Sequence, residues 1–182
     1  MAEAAFSPRD TCAGITFDGK MWLSNAYQVN DLIPRGEPGR YWCRRDLWSS
    51  VDGRSWDCVS DSTPYDPYSR LVAFDGRIWA VGEASVFCSE DGSDWRCVAS
   101  EVPFGASATG AVAHAGRMWL IAGSEVWSSA DGAEWSAATL TAPFGARTGC
   151  AVEVFDGKIW LLGGSVDRTP DMPGPEERLC KC

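Results

Sequence analysis

The sequence predicts an all-β protein built from repeated units of about 40 residues, each with four short strands. Two phrases recur along the chain with aromatic and glycine residues at fixed places. Ser-x-Asp-Gly-x-x-Trp occurs at 50–56, 89–95 and 129–135. A glycine turn followed by a basic residue, an apolar residue and tryptophan occurs at 17–22, 74–79, 114–119 and 155–160. A repeat of this period indicates an array of similar β units rather than two ordinary domains.

Tryptophan follows the repeat closely. Of the 10 tryptophans in 182 residues, nine occupy repeat positions and only Trp42 falls outside them. Side chains that recur at fixed positions of a repeat usually pack the core between neighbouring units. We therefore expect the nine to be packing residues and Trp42 to be the exception.

Each unit consists of strands separated by tight turns. Asp-Gly between apolar runs, as at Asp18-Gly19, is a strong signal for a two-residue β-hairpin turn in which both residues take positive φ. Residues 6–19 match residues 144–157 without a gap, so the repeat starts near the first residue. The predicted blades cover about 6–60, 67–99, 104–139 and a half blade at 144–164, with an insertion at 25–45 and an irregular, proline-rich tail at 165–182.

Four strands per unit, joined by tight turns, is the pattern of a β-propeller blade. The sequence therefore predicts a β-propeller-like array of about three and a half four-stranded blades, as a partial or a four-bladed propeller. At the recurring phrases the chain resembles the kelch-like propellers, which include galactose oxidase. Gly163-Gly164 ends the second strand as in kelch repeats, although single glycines, Gly82 and Gly123, stand in the earlier blades.

The Ser-x-Asp-Gly-x-x-Trp turn is similar to the Asp-box of sialidases and related propellers, but is one residue shorter between Asp and Trp. The resemblance covers residues 6–164. It implies a fold and not an activity, because propellers host many functions.

The array begins at the first strand of one blade and stops after the second strand of another. We expect this last strand to leave an unpaired edge, and exposed edges recruit other chains. Three arrangements fit: a four-bladed ring with one thin blade, a dimer in which two arrays share one ring, and part of a larger propeller. The small ring is favoured because it still buries its tryptophans and because the acidic charge opposes self-association. Self-association through the open blade edge is the alternative.

The recurring turn has a structural role in this interpretation. Its aspartate can accept hydrogen bonds from amides two or more residues on, as in an Asx-turn, and the following glycine fits a positive φ. The residues concerned are Asp52, Gly53, Asp91, Gly92, Asp131 and Gly132. The more specific alternative is that the turn binds calcium, because carboxylates and turn carbonyls are hard oxygen donors. One aspartate per turn offers too few ligands, so the sequence predicts no metal site and no cofactor.

The residues do not assemble a familiar catalytic set. The one histidine, His114, occupies the hairpin-end position where phenylalanine stands in the other units. A Ser-His-Asp arrangement would rest on it alone, and the histidine ligands of galactose oxidase-like copper chemistry are missing. With four tyrosines and a partial set of blades, a sialidase site is disfavoured too. The chain is predicted not to be an enzyme, and its terminal Cys180 and Cys182 to be structural or incidental.

Charge and hydropathy disfavour two classes of partner. The net charge of -9 and pI near 4.6 argue against nucleic acid and anionic membrane surfaces. No apolar run approaches the roughly 20 residues of a membrane-spanning helix. The N-terminal MAEAAFSPRD lacks the basic and apolar segments of a secretory signal. A cytoplasmic location is favoured, although eight cysteines leave the redox compartment open.

The insertion at 25–45 is the most binding-like segment. Its prolines, glycines and mixed charge predict a surface loop, and an insertion on one repeat often marks a functional face. Exposed Trp, Tyr and Arg are common interface anchors, and the insertion supplies Tyr41, Trp42, Arg44 and Arg45. The predicted function is a non-catalytic interaction scaffold of kelch-like type that binds a protein partner through its loop faces. The alternative is a glycan-binding module, or a relic of a sialidase or galactose-oxidase-like enzyme.

Overall fold

The computed structural model describes residues 4–29, 32–34, 37–104 and 108–166. These residues form fourteen strands, and no helix among them has the length and apolarity of a membrane span. The strands are β1 (Ala13–Phe17), β2 (Lys20–Val29), β3 (Tyr41–Ser50), β4 (Asp57–Ser60), β5 (Arg70–Phe74), β6 (Arg77–Val81), β7 (Val86–Ser89), β8 (Arg96–Ala99), β9 (Ala108–His114), β10 (Arg117–Ala122), β11 (Glu125–Ser129), β12 (Ser136–Thr139), β13 (Arg147–Phe155) and β14 (Lys158–Val166).

The strands form antiparallel sheets that follow chain order, and we call each sheet a blade. Blade 1 is β1–β4, blade 2 is β5–β8, blade 3 is β9–β12 and blade 4 is β13–β14. The hairpin between the first two strands turns through residues of positive φ, such as Asp75 (47°) and Gly76 (67°), which confirms the predicted turn. Each hairpin tryptophan donates from Nε1 to the carbonyl oxygen five residues earlier, as Trp79 does to Phe74 at 2.9 Å.

The first strands of the blades lie side by side around a common axis. β1 packs against β5, β5 against β9, and β9 against β13. Among the described strands, β1 and β13 do not form a packed pair of this kind. The blades therefore make an open arc, and the closed four-bladed ring that the sequence favoured does not form. The face of blade 4 that is turned away from blade 3 stays uncovered and does not meet blade 1.

Consecutive blades bury apolar side chains between their facing sheets. We call the side of a blade that is turned to the next blade its leading face, and the side turned to the preceding blade its trailing face. Between blades 1 and 2, leading Trp22 shares a buried cluster with trailing Ile78. Between blades 2 and 3, leading Trp79 shares a cluster with trailing Met118 and Leu120. Trp22 and Trp79 therefore pack in the contacts between blades, as predicted, whereas Trp160 is 42% exposed.

The insertion is an extended β-hairpin, so the prediction of a surface loop from its composition was wrong. β2 and β3 stay paired out to Val29 and Tyr41, with a bulge at which Asn25 takes a φ of 56°. Near the tip, the Pro34 carbonyl accepts a hydrogen bond from the Glu37 amide at 3.2 Å. Prolines and glycines are confined to this tip, while the residues on either side alternate and pair as strands. Averaging the composition over the whole segment concealed that difference.

The last strand is longer than predicted. β14 continues to Val166, two residues into the segment assigned to an irregular tail at 165–182. Gly163 and Gly164 take positive φ values of 68° and 80°, but pairing with β13 resumes beyond them. The glycine doublet is therefore an irregularity within the strand and does not end it. Residues 167–182, with both terminal cysteines, lie outside the described residues.

Candidate functional site

The turn between the third and fourth strands has one geometry in blades 1, 2 and 3. In blade 3, the Ser129 hydroxyl accepts a hydrogen bond from the Gly132 amide at 2.8 Å. Asp131 Oδ1 accepts from the amides two and three residues on, at 2.9 and 3.0 Å, and Trp135 Nε1 donates to the Gly132 carbonyl at 3.0 Å. The same bonds recur at 50–56 and 89–95. The turn organises its own backbone, as predicted from the sequence.

These hydrogen bonds lower the pKa of each turn aspartate, because they stabilise the ionised carboxylate. The largest cause in each case is the amide of a residue two or three positions later. Those amides belong to Ser55, Ser93 and Glu134. In the part of the chain that the structure describes, no group of three or more His, Cys, Asp or Glu side chains is placed to hold a metal ion. The carboxylates serve the turns in which they lie.

The turn glycines also join neighbouring blades, which the sequence did not reveal. A β-carbon on Gly132 would lie 2.1 Å from Cζ3 of Trp79 in blade 2, and one on Gly92 would lie 2.5 Å from Cζ3 of Trp22 in blade 1. A side chain at either position would therefore collide with a buried indole. Gly53 in blade 1 has a similar φ of 71° but is exposed. Its added β-carbon would meet only Met21 within 4 Å.

The first strands of the four blades, β1, β5, β9 and β13, border a cavity of about 590 Å³. Three consecutive residues of each inner strand line it, with Ile15, Val72, Val112 and Glu153 at their centres. Glu153 is the one titratable residue in this lining, and the others are apolar residues, glycine and a single threonine. One carboxylate alone does not pair a nucleophile with a base. The cavity therefore has no recognisable reaction site among its described residues.

The described cysteines offer little chemistry. All six are free thiols: Cys12, Cys43, Cys58, Cys88, Cys97 and Cys150. Burial raises the pKa of the Cys12 and Cys58 thiols, which disfavours the nucleophilic thiolate. The repeat positions of Cys58, Cys97 and Cys150 suggest buried packing residues, but only Cys150 is buried, and Cys58 and Cys97 are exposed.

The base of the extended hairpin is fixed to the linker between blades 1 and 2. The Ser24 and Tyr65 hydroxyl oxygens lie 2.7 Å apart, and burial raises the pKa of Tyr65 to about 12. The Asn25 side-chain amide donates to the Asp66 carbonyl at 3.3 Å. From the other strand, Arg45 Nη2 donates to the Tyr65 carbonyl at 2.9 Å. This network holds the hairpin in a single orientation relative to the blades.

The outer side of the hairpin carries exposed residues of the insertion. Trp42 is 36% exposed, and its Nε1 donates to Gln28 Oε1 at 2.7 Å. Arg44 Nε donates to the same oxygen at 3.0 Å, and its guanidinium carbon lies 5.9 Å from the centroid of the Trp42 ring. We call Gln28, Trp42 and Arg44 the hairpin patch. One amide oxygen therefore sets the positions of an indole and a guanidinium, which are side chains typical of interface anchors.

The residues predicted as binding anchors separate in the structure. Successive side chains of a strand point to opposite sides, so Trp42 and Arg44 share the outer side of β3 while Arg45 faces the linker. Tyr41 lies within β3, and its side chain is outside what the structure describes. Gln28 was not predicted, although it pairs directly with Trp42 in the strand register. Alternation on both sides of the tip was the signal that could have found it.

Residues 67–149 match the family model described as the DUF6242 beta propeller domain. This stretch holds all of blades 2 and 3 and the start of β13. A solved structure titled "Structure of YjhT" is similar to the chain with a TM-score of 0.68 at 12% sequence identity. The fold is a β-propeller.

The structural likeness covers 86% of this chain and 59% of that chain, so the propeller described here spans 59% of its neighbour's length. A likeness at 12% identity shows the fold alone. A search of the curated proteins found no match. The finer resemblance to kelch-like repeats and to the Asp-box stays a prediction.

Proposed function

We propose that this chain is a non-catalytic β-propeller interaction module that holds a protein partner on the hairpin patch. The observation that carries the proposal is the shared acceptor: Gln28 Oε1 receives hydrogen bonds from both Trp42 and Arg44. Interface hot spots are enriched in Trp and Arg. Here both stand on an extension that blades 2 and 3 lack, on the side turned away from the propeller's own linker.

The side chains of the patch are also held by hydrogen bonds to one another, which favours binding. Ordering a side chain at an interface costs roughly 0.5–1.5 kcal/mol. Trp42 and Arg44 are already held by Gln28, and the hairpin base is held by Asn25 and Arg45. Much of the ordering cost is therefore met before a partner arrives.

The chemistry of the patch indicates the kind of partner segment. Arg44 places a cation beside an exposed indole on a chain whose net charge is -9. A segment with a carboxylate next to an apolar side chain complements this arrangement, because charge-assisted hydrogen bonds to a guanidinium are short and strong. The partner we propose is therefore a protein with an acidic, partly apolar contact segment.

Quantitative capture of partners from the native source tests the proposal when wild type is compared with Trp42→Ala and Arg44→Ala. The matched control is Arg54→Ala, which removes an exposed arginine from the opposite end of blade 1. Any partner bound at the patch should lose at least tenfold in affinity with either patch variant, about 1.4 kcal/mol, and should bind the control normally. Thermal melting of Trp42→Ala should stay close to wild type.

Gln28 provides a second comparison. Gln28→Glu keeps an acceptor for both donors and should retain partner binding, whereas Gln28→Leu removes the acceptor and should weaken it. Binding that is unchanged in Trp42→Ala and Gln28→Leu would reject the patch as the partner site. If glycans on an array bind wild type but do not bind these variants, the patch binds a carbohydrate and not a protein.

A further inference from the structure

The two contacts between complete blades, 1 with 2 and 2 with 3, are built from the same two components. The leading face contributes the second-strand tryptophan, and the trailing face of the next blade contributes the turn glycine that lies on it. Trp22 beneath Gly92 and Trp79 beneath Gly132 are each only 4% exposed. The interior of the chain therefore shows twice how a leading face and a trailing face fit together.

The leading face of blade 4, as far as β13 and β14 form it, is uncovered among the described residues. Phe155 is 71% exposed, Trp160 42% and Leu162 50%, and none of the described residues lies over them as Gly92 lies over Trp22. Trp160 nevertheless donates from Nε1 to the Phe155 carbonyl at 2.8 Å, as the buried tryptophans do to theirs. The side chains of this hairpin are therefore arranged as in the interior contacts, but no described turn covers them.

The trailing face of blade 1 is the matching half. Met21 and Leu23 are half-buried, whereas their counterparts in blades 2 and 3 are 0% exposed; those counterparts are Ile78, Ala80, Met118 and Leu120. Gly53, the turn glycine of this blade, is exposed, although Gly92 and Gly132 are buried. Blade 1 thus presents the same covering turn with no indole beneath it.

The aromatic side chains behind this turn are in place as well. Phe6 packs edge-on against Trp48 and Trp56, with ring centroids 5.8 and 5.2 Å apart. Phe104 packs in the same way against Trp127 and Trp135 of blade 3, at 6.1 and 5.4 Å. The blade 3 group completes a buried contact with blade 2. The blade 1 group is therefore built for a contact of the same kind.

We propose that the propeller associates head to tail with a second copy of itself, with the leading face of blade 4 docked on the trailing face of the second copy's blade 1. Trp160 would then lie beneath the Gly53 turn, as Trp79 lies beneath Gly132. A second copy is the occupant we choose because one chain carries both halves of a contact that it already makes internally. Such a heterologous contact closes a ring or extends an open chain, depending on the rotation.

The contact is distinct from pairing at the edge of β14. It buries side chains on the blade face, while edge pairing uses unpaired backbone groups. Because each copy carries a net charge of -9, copies repel at low ionic strength and added salt screens this repulsion. Association through the faces should therefore strengthen as salt is raised.

Sedimentation velocity or light scattering of single and mixed variants tests the proposal. Phe155→Lys disables the leading face and Met21→Lys the trailing face, with Leu162→Lys and Gly53→Asn as second choices if either fails to fold. Wild type should show a mass above 19.7 kDa that rises with concentration, and each variant alone should associate at least tenfold more weakly. Leu140→Lys, at a position 55% exposed in the linker after blade 3, should associate like wild type.

The decisive measurement is the equimolar mixture of Phe155→Lys with Met21→Lys. Each variant keeps the half that the other lacks, so the mixture should form a capped heterodimer of about twice 19.7 kDa. A wild-type mass of 19.7 kDa at every concentration would overturn the proposal. So would a Met21→Lys variant that self-associates like wild type, because two blade 4 faces would then be meeting each other.

Discussion

Blade 2 and blade 4 carry the same tryptophan in the same local structure but in different surroundings. Trp79 and Trp160 donate from Nε1 to the carbonyl five residues earlier, at 2.9 and 2.8 Å. Trp79 is 4% exposed, whereas Trp160 is 42% exposed. The difference arises because Gly132 of blade 3 lies on Trp79, and no described residue takes that place on Trp160. Hairpin geometry is thus a local property of the repeat, while burial depends on the neighbouring blade.

The largest effect is expected from removing the covered indole. Trp79→Ala should lower the free energy of unfolding by about 3–5 kcal/mol, because it leaves a cavity between blades 2 and 3. Trp160→Ala should cost only about 1–2 kcal/mol, because much of that ring is already in water. Guanidinium unfolding of both variants measures the difference. Equal losses would mean that Trp160 is covered in solution, and dilution of the sample would then show whether a second copy covers it.

Alanine substitution of the turn glycines should show the same contrast between a turn that covers an indole and one that does not. Gly132→Ala brings a β-carbon to 2.1 Å from Trp79 Cζ3 in a residue with a φ of 76°. Overpacking and backbone strain together should cost about 2–4 kcal/mol. Gly53→Ala has the same strain but meets only the flexible end of Met21, so it should cost about 1 kcal/mol.

Chemical denaturation of the two glycine variants provides the measurement. A Gly53→Ala variant as unstable as Gly132→Ala would show that turn strain alone decides the effect, and the contact between blades would then contribute little. Gly92→Ala, which would meet Trp22 at 2.5 Å, should resemble Gly132→Ala and serves as the positive control.

The sequence predicted what is local. Asp-Gly turns, the strands around them and the Ser-x-Asp-Gly-x-x-Trp turn all follow from contacts within a few residues, as the bonds of Asp131 show. What lies between blades was harder to obtain. The contact of Gly132 with Trp79 joins residues of neighbouring blades that are more than one repeat apart in the sequence, and no pattern within either segment encodes it. The partial propeller was among the predicted arrangements, but the sequence could not decide between it and the favoured small ring, because the outcome depends on which blade faces find a partner.

The candidate site was predicted in part for the same reason. Trp42 stood out because it is the one tryptophan outside the repeat, and Arg44 because it is near in sequence. Gln28 was missed because its role depends on strand register across the tip. The separation of Arg45 from Trp42 needed the alternation of β3, which a loop assignment discarded. The aromatic residues Phe6, Tyr65 and Phe104 share one position of the repeat, at spacings of 59 residues across the insertion and 39 residues beyond it, and this position could have been found from the sequence.

The smallest effect concerns the carboxylate of the covering turn. Asp131→Ala should lower the free energy of unfolding at pH 7 by about 1–2 kcal/mol, because two amides lose their shared acceptor. The same change at Asp52 should be milder, since the blade 1 turn covers no indole.

The folded-state pKa of Asp131 is lowered, chiefly by the hydrogen bond from the Glu134 amide, below the usual 3.8. The stability it contributes is thus present above pH 3.8 and is lost as the pH falls through the folded-state pKa. Denaturation of wild type and Asp131→Ala from pH 7 downward should show their difference shrinking only in that acidic range. A difference that stays constant into strong acid would mean that Asp131 supports the turn through contacts that do not need its charge, and the covering of Trp79 would then be independent of this carboxylate.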